Sequence, residues 1–302
     1  MNLSEEILRL KEEKGALILA HLYQRPEIQE IADIVGDSYF LSKKAIESPA
    51  NLIIFCGVGF MAESAKILSP NKRVLLPAKE STCPMADMAL IERIQDLKDK
   101  HPNAKVISYI NTNIDIKAIS DVCVTSSSAL KIMKNIEDKD IIFVPDRNLG
   151  SYISEFFPEK NFILYPGFCP THERIEEKDI RELMIKYPEY EVIVHPECNK
   201  GVRSLANYIG STSELINYSA QSSSKGFIVV TEEGVLHQMK KKNPDKEFIP
   251  LNPGMICPNM KMTTLEEVYD CLLNETNEIF LDEDQRVKAL TALEKMHLLG
   301  DD

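Results

Sequence analysis

The sequence predicts an α/β protein made of three similar α/β/α sandwich units with parallel sheets, arranged with pseudo-threefold symmetry around a central active site. Three observations predict this. First, the dipeptide Cys-Pro recurs as Cys83-Pro84, Cys169-Pro170 and Cys257-Pro258, at intervals of 86 and 88 residues. With 7 Cys and 16 Pro in 302 residues, chance supplies about 0.4 such pairs, so a repeat is the better reading. Second, the apolar runs "LILAHLY", "KVISYIN" and "EVIVHPE" share that register. They put His21, Tyr109 and His195 in one column, with Tyr23, Asn111 and Glu197 two residues later. Third, Ser38, Ser126 and Thr212 each follow the first column by 17 residues. Pro70-Asn71-Lys72, Pro158-Glu159-Lys160 and Pro244-Asp245-Lys246 continue the pattern. Apolar strands alternating with helices indicate parallel sheets covered on both faces.

The units are expected at 16–103, 104–189 and 190–262, with helices at 1–15 and 263–302 packed on them. Units this small bury little alone and must share surface. Residues 3–14 carry Leu3, Ile7 and Leu10 at helical spacing, and Gly15 ends the helix. Residues 16–20 form a strand that stops at His21. Pro26 opens a helix through about Val35, and Ser38 starts another with Leu41, Ala45 and Ile46 inward. "NLIIFCGVGF" reads as a buried strand, "MAESAKIL" as a helix, and "RVLLP" as a third strand leading to Cys83. Residues 85–100 read as one amphipathic helix ending near Pro102. The second unit repeats the plan: a strand at 105–109, helices after Ile114 and Ser126, strand "DIIFVP", helix 149–157, strand "NFILYP", Cys169 and helix 175–187. The third runs from "EVIVH" to "EFIPL" and Cys257. Helices at 263–274 and near 284–298 follow.

A hydrophobic content of 44% and a charged content of 27% describe an ordinary soluble globular protein. The net charge of −12 argues against a nucleic-acid phosphate track. It leaves room for a small anion held by backbone N–H groups. No run reaches the length of a membrane span, and "MNLSEEILRLKEEK" lacks the apolar core of a signal peptide. Seven cysteines, an odd number in a chain too large to need disulfide staples, point to a reducing cytosol and a cytoplasmic location.

In parallel sheets ligands bind beyond the carboxyl ends of the strands, where His21, Tyr109 and His195 fall. Ser38, Ser126 and Thr212 are expected at helix starts, where a hydroxyl caps the helix and free N–H groups bind phosphate or carboxylate. The three Cys-Pro cysteines could converge on one metal centre. Structural zinc wants four ligands, usually with C-x-x-C pairs, which are absent; His172 is the best fourth candidate and lacks counterparts in the other units. A 4Fe–4S cluster held by three thiolates keeps one open iron, a Lewis acid suited to dehydration. Cys56 and Cys271 read as core residues. Cys123 and Cys198 neighbour the pocket segments without an assigned role.

The stretches "AHLYQ", "IADIVGDS", "GVGFMAESAKIL", "TCPMAD", "PDRNLG", "VIVHPEC", "YIGST" and "CPNMK" together resemble the quinolinate synthase family, over nearly the whole chain. The resemblance implies three α/β/α units around a 4Fe–4S cluster held by Cys83, Cys169 and Cys257, with one open iron. It implies a transferase that condenses iminoaspartate with dihydroxyacetone phosphate to quinolinate, losing phosphate and two waters, in de novo NAD biosynthesis. An aspartate oxidase or dehydrogenase is the expected supplier of iminoaspartate; neither nucleic acid nor membrane is an expected partner. The substrate pocket maps to His21, Tyr23, Ser38, Tyr109, Ile110, Asn111, Ser126, His195, Pro196, Glu197 and Thr212. Of these, Glu197 and Tyr23 are expected to move protons, and His195 and His21 to donate to developing oxyanions. Leu22, Gly59, Val124 and Val230 depart from the family's usual Asn, Asp, Cys and Gly, and Leu22 is expected to bear on substrate affinity. The rival readings are another hydro-lyase acting on a different dicarboxylate, and a non-catalytic iron–sulfur sensor. A sensor leaves the repeated polar strand ends unexplained.

Overall fold

Among the described residues, 2–300 of a computed structural model, the apolar runs form three sheets of four parallel strands. The first contains β1 (Ala16–His21), β2 (Ile34–Gly36), β3 (Leu52–Cys56) and β4 (Arg73–Leu75), in the order β2-β1-β3-β4. The second contains β5 (Lys105–Tyr109), β6 (Val122–Val124), β7 (Asp140–Val144) and β8 (Asn161–Leu164), ordered β6-β5-β7-β8. The third contains β9 (Glu191–Val194), β10 (Tyr208–Ile209), β11 (Gly226–Val230) and β12 (Glu247–Pro250), ordered β10-β9-β11-β12. One topology therefore occurs three times, each time reversing direction between its first and third strands. That reversal opens the crevice in which such sheets bind ligands.

The short edge strands β2, β6 and β10 replace helix or loop in the sequence expectation. The helix from Pro26 ends at Ile31, and Ile34–Gly36 pairs with Leu19–His21. The cause is a side-chain hook. The Asp33 carboxylate accepts the Ile18 N–H at 2.8 Å, while the Asp33 N–H donates to the Ile18 carbonyl at 2.9 Å. Asp121 does the same to Val106, and Asn207 to Val192. The lysine column is also structural. Lys72 Nζ donates to the Ala45 carbonyl (2.6 Å), Lys160 to Asp138 (3.0 Å) and Lys246 to Ser219 (2.7 Å). Each ties down carbonyls at or just beyond the end of the second helix before it in the chain, Ser38–Glu47, Ala129–Lys134 or Thr212–Gln221, groups that have no partner within the helix.

One other expected helix is broken. Residues 85–100 form Pro84–Asp87 and Ile91–Lys100, because the Tyr165 hydroxyl occupies the gap. It accepts from Leu90 N–H at 3.2 Å and donates to the Met88 carbonyl at 2.7 Å. The helix expected at 175–187 is Glu177–Lys186, preceded by a separate short helix at Pro170–Glu173. The helix expected at 149–157 is Arg147–Ser154, started earlier by Asp146, whose carboxylate accepts from the Asn148 and Leu149 N–H groups.

Helices Leu3–Lys14 and Leu265–Asn274 cover the first sheet, where Ile7, Leu10, Val268 and Leu272 share a core with Ile18 and Ile54. The last helix, Glu283–Gly300, buries Ala289, Ala292, Leu293 and Met296 in a core shared by Ile53 of the first sheet and Ile107 of the second. It seals the seam between those two units. Each large apolar side chain buried there contributes roughly 1.5–3 kcal/mol.

Candidate functional site

The carboxyl ends of β1, β5 and β9 meet around one shared cavity. His21, Tyr23, Tyr109, Asn111, His195 and Glu197 line it, together with Ser38, Ser126, Thr212 and the three Cys-Pro cysteines. Ile110 and Pro196 do not: Ile110 is buried in the apolar core, and Pro196 faces a separate groove beside Tyr208. Leu22 also turns away, into a core with Ile193, Leu215 and Phe227. Its side chain therefore bears on packing between the first and third units and does not line the cavity. Val124 and Val230 are fully buried in their strands.

Ser38, Ser126 and Thr212 are not the helix caps. Asp37 caps helix Ser38–Glu47 through the Phe40 N–H, and Ser211 caps helix Thr212–Gln221 through the Glu214 N–H. Ser126 lies in a turn held by Thr125 and Ser128, just before helix Ala129–Lys134. All three hydroxyls line the cavity without being engaged as caps. No lysine or arginine is among the described residues lining it. An anion there would meet hydroxyls, backbone N–H groups and imidazoles. The Asn111 Oδ1 atom, also at the cavity, is buried with no hydrogen-bond partner.

The two column histidines share one geometry. His21 Nδ1 accepts the Tyr23 N–H at 3.1 Å, and His195 Nδ1 accepts the Glu197 N–H at 3.4 Å. An accepting Nδ1 carries no hydrogen, so these partners assign the hydrogen to Nε2 in both rings. Burial lowers His21 to about 3 and His195 to about 4 against the opposing pull of Glu197. Both rings are thus neutral donors near pH 7.

Glu197 is almost fully buried. Its Oε1 accepts the Tyr109 hydroxyl at 2.7 Å, and its Oε2 lies 2.9 Å from His172 Nδ1. Burial alone would raise this carboxyl. The imidazoles of His195 and His172, with hydrogen bonds from His172 and Tyr109, hold it well below the usual range. Burial, reinforced by the Glu197 charge, raises the phenols of Tyr23 and Tyr109. Glu197 is therefore held as a carboxylate among neutral hydrogen donors.

Each cysteine sits where a prolyl turn begins. Proline supplies no N–H and presets φ for the turn. The Cys83 sulfur accepts from Ala86 and Met85, that of Cys257 from Met260 and Asn259, and that of Cys169 from His172. Burial nevertheless pushes the Cys83 thiol up to about 12, with smaller contributions from Cys257 and Glu197. Burial likewise raises Cys169 and Cys257. Bare thiols here stay protonated; a bound metal would displace those protons. Three half-buried sulfurs from three units, each facing backbone N–H donors, fit a 4Fe–4S cluster with three protein ligands. Donor atoms of Cys169, His172 and Glu197 also lie within 4.8 Å of one another. Cys56 and Cys271 lie in the core of the first unit. Cys123 (against Ser108) and Cys198 (against Val230) do not line the cavity.

Sequence reasoning missed the second strand-end column, after β7 and β11. Thr231 Oγ1 joins the Tyr23 hydroxyl (2.9 Å) to His172 Nε2 (3.1 Å). Glu232 has no exposure, pairs with Lys261 at 2.8 Å and accepts the Cys257 N–H at 3.1 Å. Asp146, after β7, is fully buried, and burial followed by the Glu197 charge raises its carboxyl. The available signal was position alone, just past an apolar run.

Residues 5–298 match the family model described as quinolinate synthetase A protein. The chain is 56% identical over 300 residues to the quinolinate synthase of Clostridium perfringens (strain 13 / Type A), covering 99% of this chain and 100% of that protein. It is 55% identical over 300 residues to that of Clostridium acetobutylicum and 51% identical over 300 residues to that of Clostridioides difficile (strain 630), each alignment covering 99% of both chains.

Proposed function

The chain belongs to the quinolinate synthase family, and we propose that it condenses iminoaspartate with dihydroxyacetone phosphate to quinolinate, releasing phosphate and two waters, in de novo NAD biosynthesis. The observation that carries this reading is the meeting of the three Cys-Pro sulfurs with the polar strand-end column in one cavity. Cys83, Cys169 and Cys257 would hold a 4Fe–4S cluster, which when bound supplies a Lewis acid for loss of a hydroxyl as water.

The protein's own groups supply the rest. Ser38, Ser126 and Thr212, with nearby backbone N–H groups, hold the carboxylates of iminoaspartate and the phosphate of the triose. Asn111 Oδ1 offers an acceptor to a substrate N–H or O–H. The Nε2–H groups of His21 and His195 stabilise oxygen atoms as they gain charge. Glu197 takes a proton at an oxygen already fixed by Tyr109 or His172, and Tyr23 gives or takes one across the cavity. Iminoaspartate would come from a functional partner of the aspartate oxidase or dehydrogenase type.

The test is quinolinate formation by the anaerobically purified, cluster-reconstituted chain. It receives dihydroxyacetone phosphate and iminoaspartate generated in the assay, beside a Cys83→Ala control. Product from the wild type and none from the control is the expected result. No product despite an intact cluster spectrum overturns the substrate pair.

A further inference from the structure

Two lysine or arginine side chains are buried among the described residues, Lys117 and Arg203. Arg203 is answered by Glu155 at 3.1 Å. Lys117 has no exposure at all and forms no ion pair among the described residues. Its Nζ donates to the Thr112 carbonyl and stands 5.5 Å from the centroid of the Phe60 ring. A lysine is almost never fully buried unless its charge is matched. A carbonyl and a ring face orient the ammonium without cancelling its charge.

Phe60 shows which groups that charge faces. Phe60 and Cys83 both line the central cavity, and both line a second groove between the first and second units. Lys117 therefore stands one side chain behind the wall that carries Cys83. The cavity lining holds no lysine or arginine among the described residues, and Lys261, four residues after Cys257, is matched by Glu232 at 2.8 Å. Burial lowers Lys117, against the pull of Glu63, Cys123, Asp115 and Cys83 in falling order. Glu63 spends one oxygen on the Ile114 N–H, at 3.1 Å.

The three Cys-Pro cysteines pack against the largest apolar core. Three thiolates give an oxidised 4Fe–4S cluster a net negative charge, and reduction by one electron adds another. In apolar surroundings such charge is costly unless a cation stands within its field. From this placement we infer that Lys117 is the buried counter-charge of the three-cysteine site: its ammonium acts across Phe60 on the Cys83 side and favours the more negative, reduced state. The inference rests on the cluster assignment proposed above and not on the substrates.

Two variants of the full chain test it. Lys117→Met removes the charge and the donor to Thr112; Lys117→Gln removes the charge and keeps a donor. Each is reconstituted anaerobically and titrated with dithionite while the visible absorption of the cluster is followed. Iron per chain should match wild type, since Lys117 is not a ligand. At a fixed potential the ratio of reduced to oxidised cluster should fall about tenfold in both variants, a midpoint lower by ~59 mV for one electron. That is the size expected of a unit charge one side-chain layer away in a protein medium. Midpoints equal to wild type in both variants overturn the inference. A lower midpoint in Lys117→Met alone assigns the effect to the Thr112 contact and overturns it too. If Lys117→Met does not fold, Lys117→Gln decides. A wild type that binds no cluster fails the cluster assignment and this inference together. A wild type with a cluster and no quinolinate fails only the substrate reading, and the midpoints still decide Lys117.

Discussion

Glu232 and Lys261 form an ion pair of 2.8 Å directly beneath Cys257, with the carboxylate wholly removed from solvent. The Glu232 oxygens also accept the N–H groups of Cys257 (3.1 Å) and Gly234 (2.7 Å), and Lys261 Nζ donates to the Tyr23 carbonyl at 2.6 Å. The pair thus ties the third cysteine to the first unit. Removing one partner leaves the other charge buried and alone, a loss of roughly 3–5 kcal/mol. Glu232→Ala should show it as a lower denaturant midpoint, and Glu232→Gln, which keeps an acceptor for Cys257 N–H, should lose less. Equal midpoints for Glu232→Ala and wild type would contradict this.

The seven cysteines should divide sharply in metal binding. Cys83→Ala, Cys169→Ala and Cys257→Ala each remove a sulfur that faces the shared cavity, so each should lose most of the bound iron after anaerobic reconstitution. Cys123→Ala and Cys198→Ala alter buried sites outside it and should keep iron at the wild-type level. Iron and sulfide per chain decide the matter. Full iron in any of the first three removes that residue from the ligand set.

Glu197→Gln keeps the size of the side chain but replaces one carboxylate oxygen by an NH2 group. That group must face either the Tyr109 hydroxyl or His172 Nδ1, both of which now donate to it. Proton transfer by the carboxylate is lost as well, so kcat should fall ~10²-fold or more. The cluster spectrum should not change. Turnover near the wild-type rate would take Glu197 out of the proton-moving role.

How much of this was readable in the sequence depends on how a residue declares itself. Cysteine and proline are rare enough that three matched pairs reveal the repeat, and the strand-end column follows from its register. Lys72, Lys160 and Lys246 were visible as a column, but only the structure separates their helix-end role from that of the site column. Strands of two or three residues have no period to detect, so β2, β6 and β10 were invisible, although their Asp33, Asp121 and Asn207 hooks repeat in register. The helix break at Met88–Leu90 is set by Tyr165, 75 residues away. Thr231 and Glu232 were missed because the corresponding strand ends hold Gly57-Val58 and Pro145-Asp146. Chemistry confined to one unit leaves no repeat.

Acid should destabilise the protein through two imidazoles. His21 and His195 are buried and lowered to about 3 and about 4, against an ordinary value near 6.5. Between about pH 6.5 and pH 4 the unfolded chain binds protons that the folded chain does not, so stability falls as pH falls through that window. At pH 5 the loss should be roughly 1–2 kcal/mol for each ring relative to pH 7 or above. Denaturant midpoints from pH 7 to pH 5 should therefore drop less steeply in His21→Asn than in wild type. Parallel slopes would show that His21 does not carry this proton linkage.

Gly234 is held by space. A Cβ there would stand 2.8 Å from the Tyr23 Cα, carbonyl carbon and carbonyl oxygen, all backbone atoms that cannot turn aside. The neighbouring Gln29 amide makes relief harder, since it donates to the carbonyls of Leu22, Gln24 and Gly234 together. Gly234→Ala should push the end of β1 away from the third unit, at a cost of ~1–3 kcal/mol in stability. Because Tyr23 moves with its backbone, KM and kcat should both worsen. Gly59→Ala is the contrast, since its Cβ would meet only the Ser81 carbonyl oxygen, at an ordinary 3.8 Å. That variant should match wild type in stability and rate. If Gly234→Ala is equally silent, the strand-end loop of the first unit is loose enough to yield, and close contact between the units does not fix Tyr23.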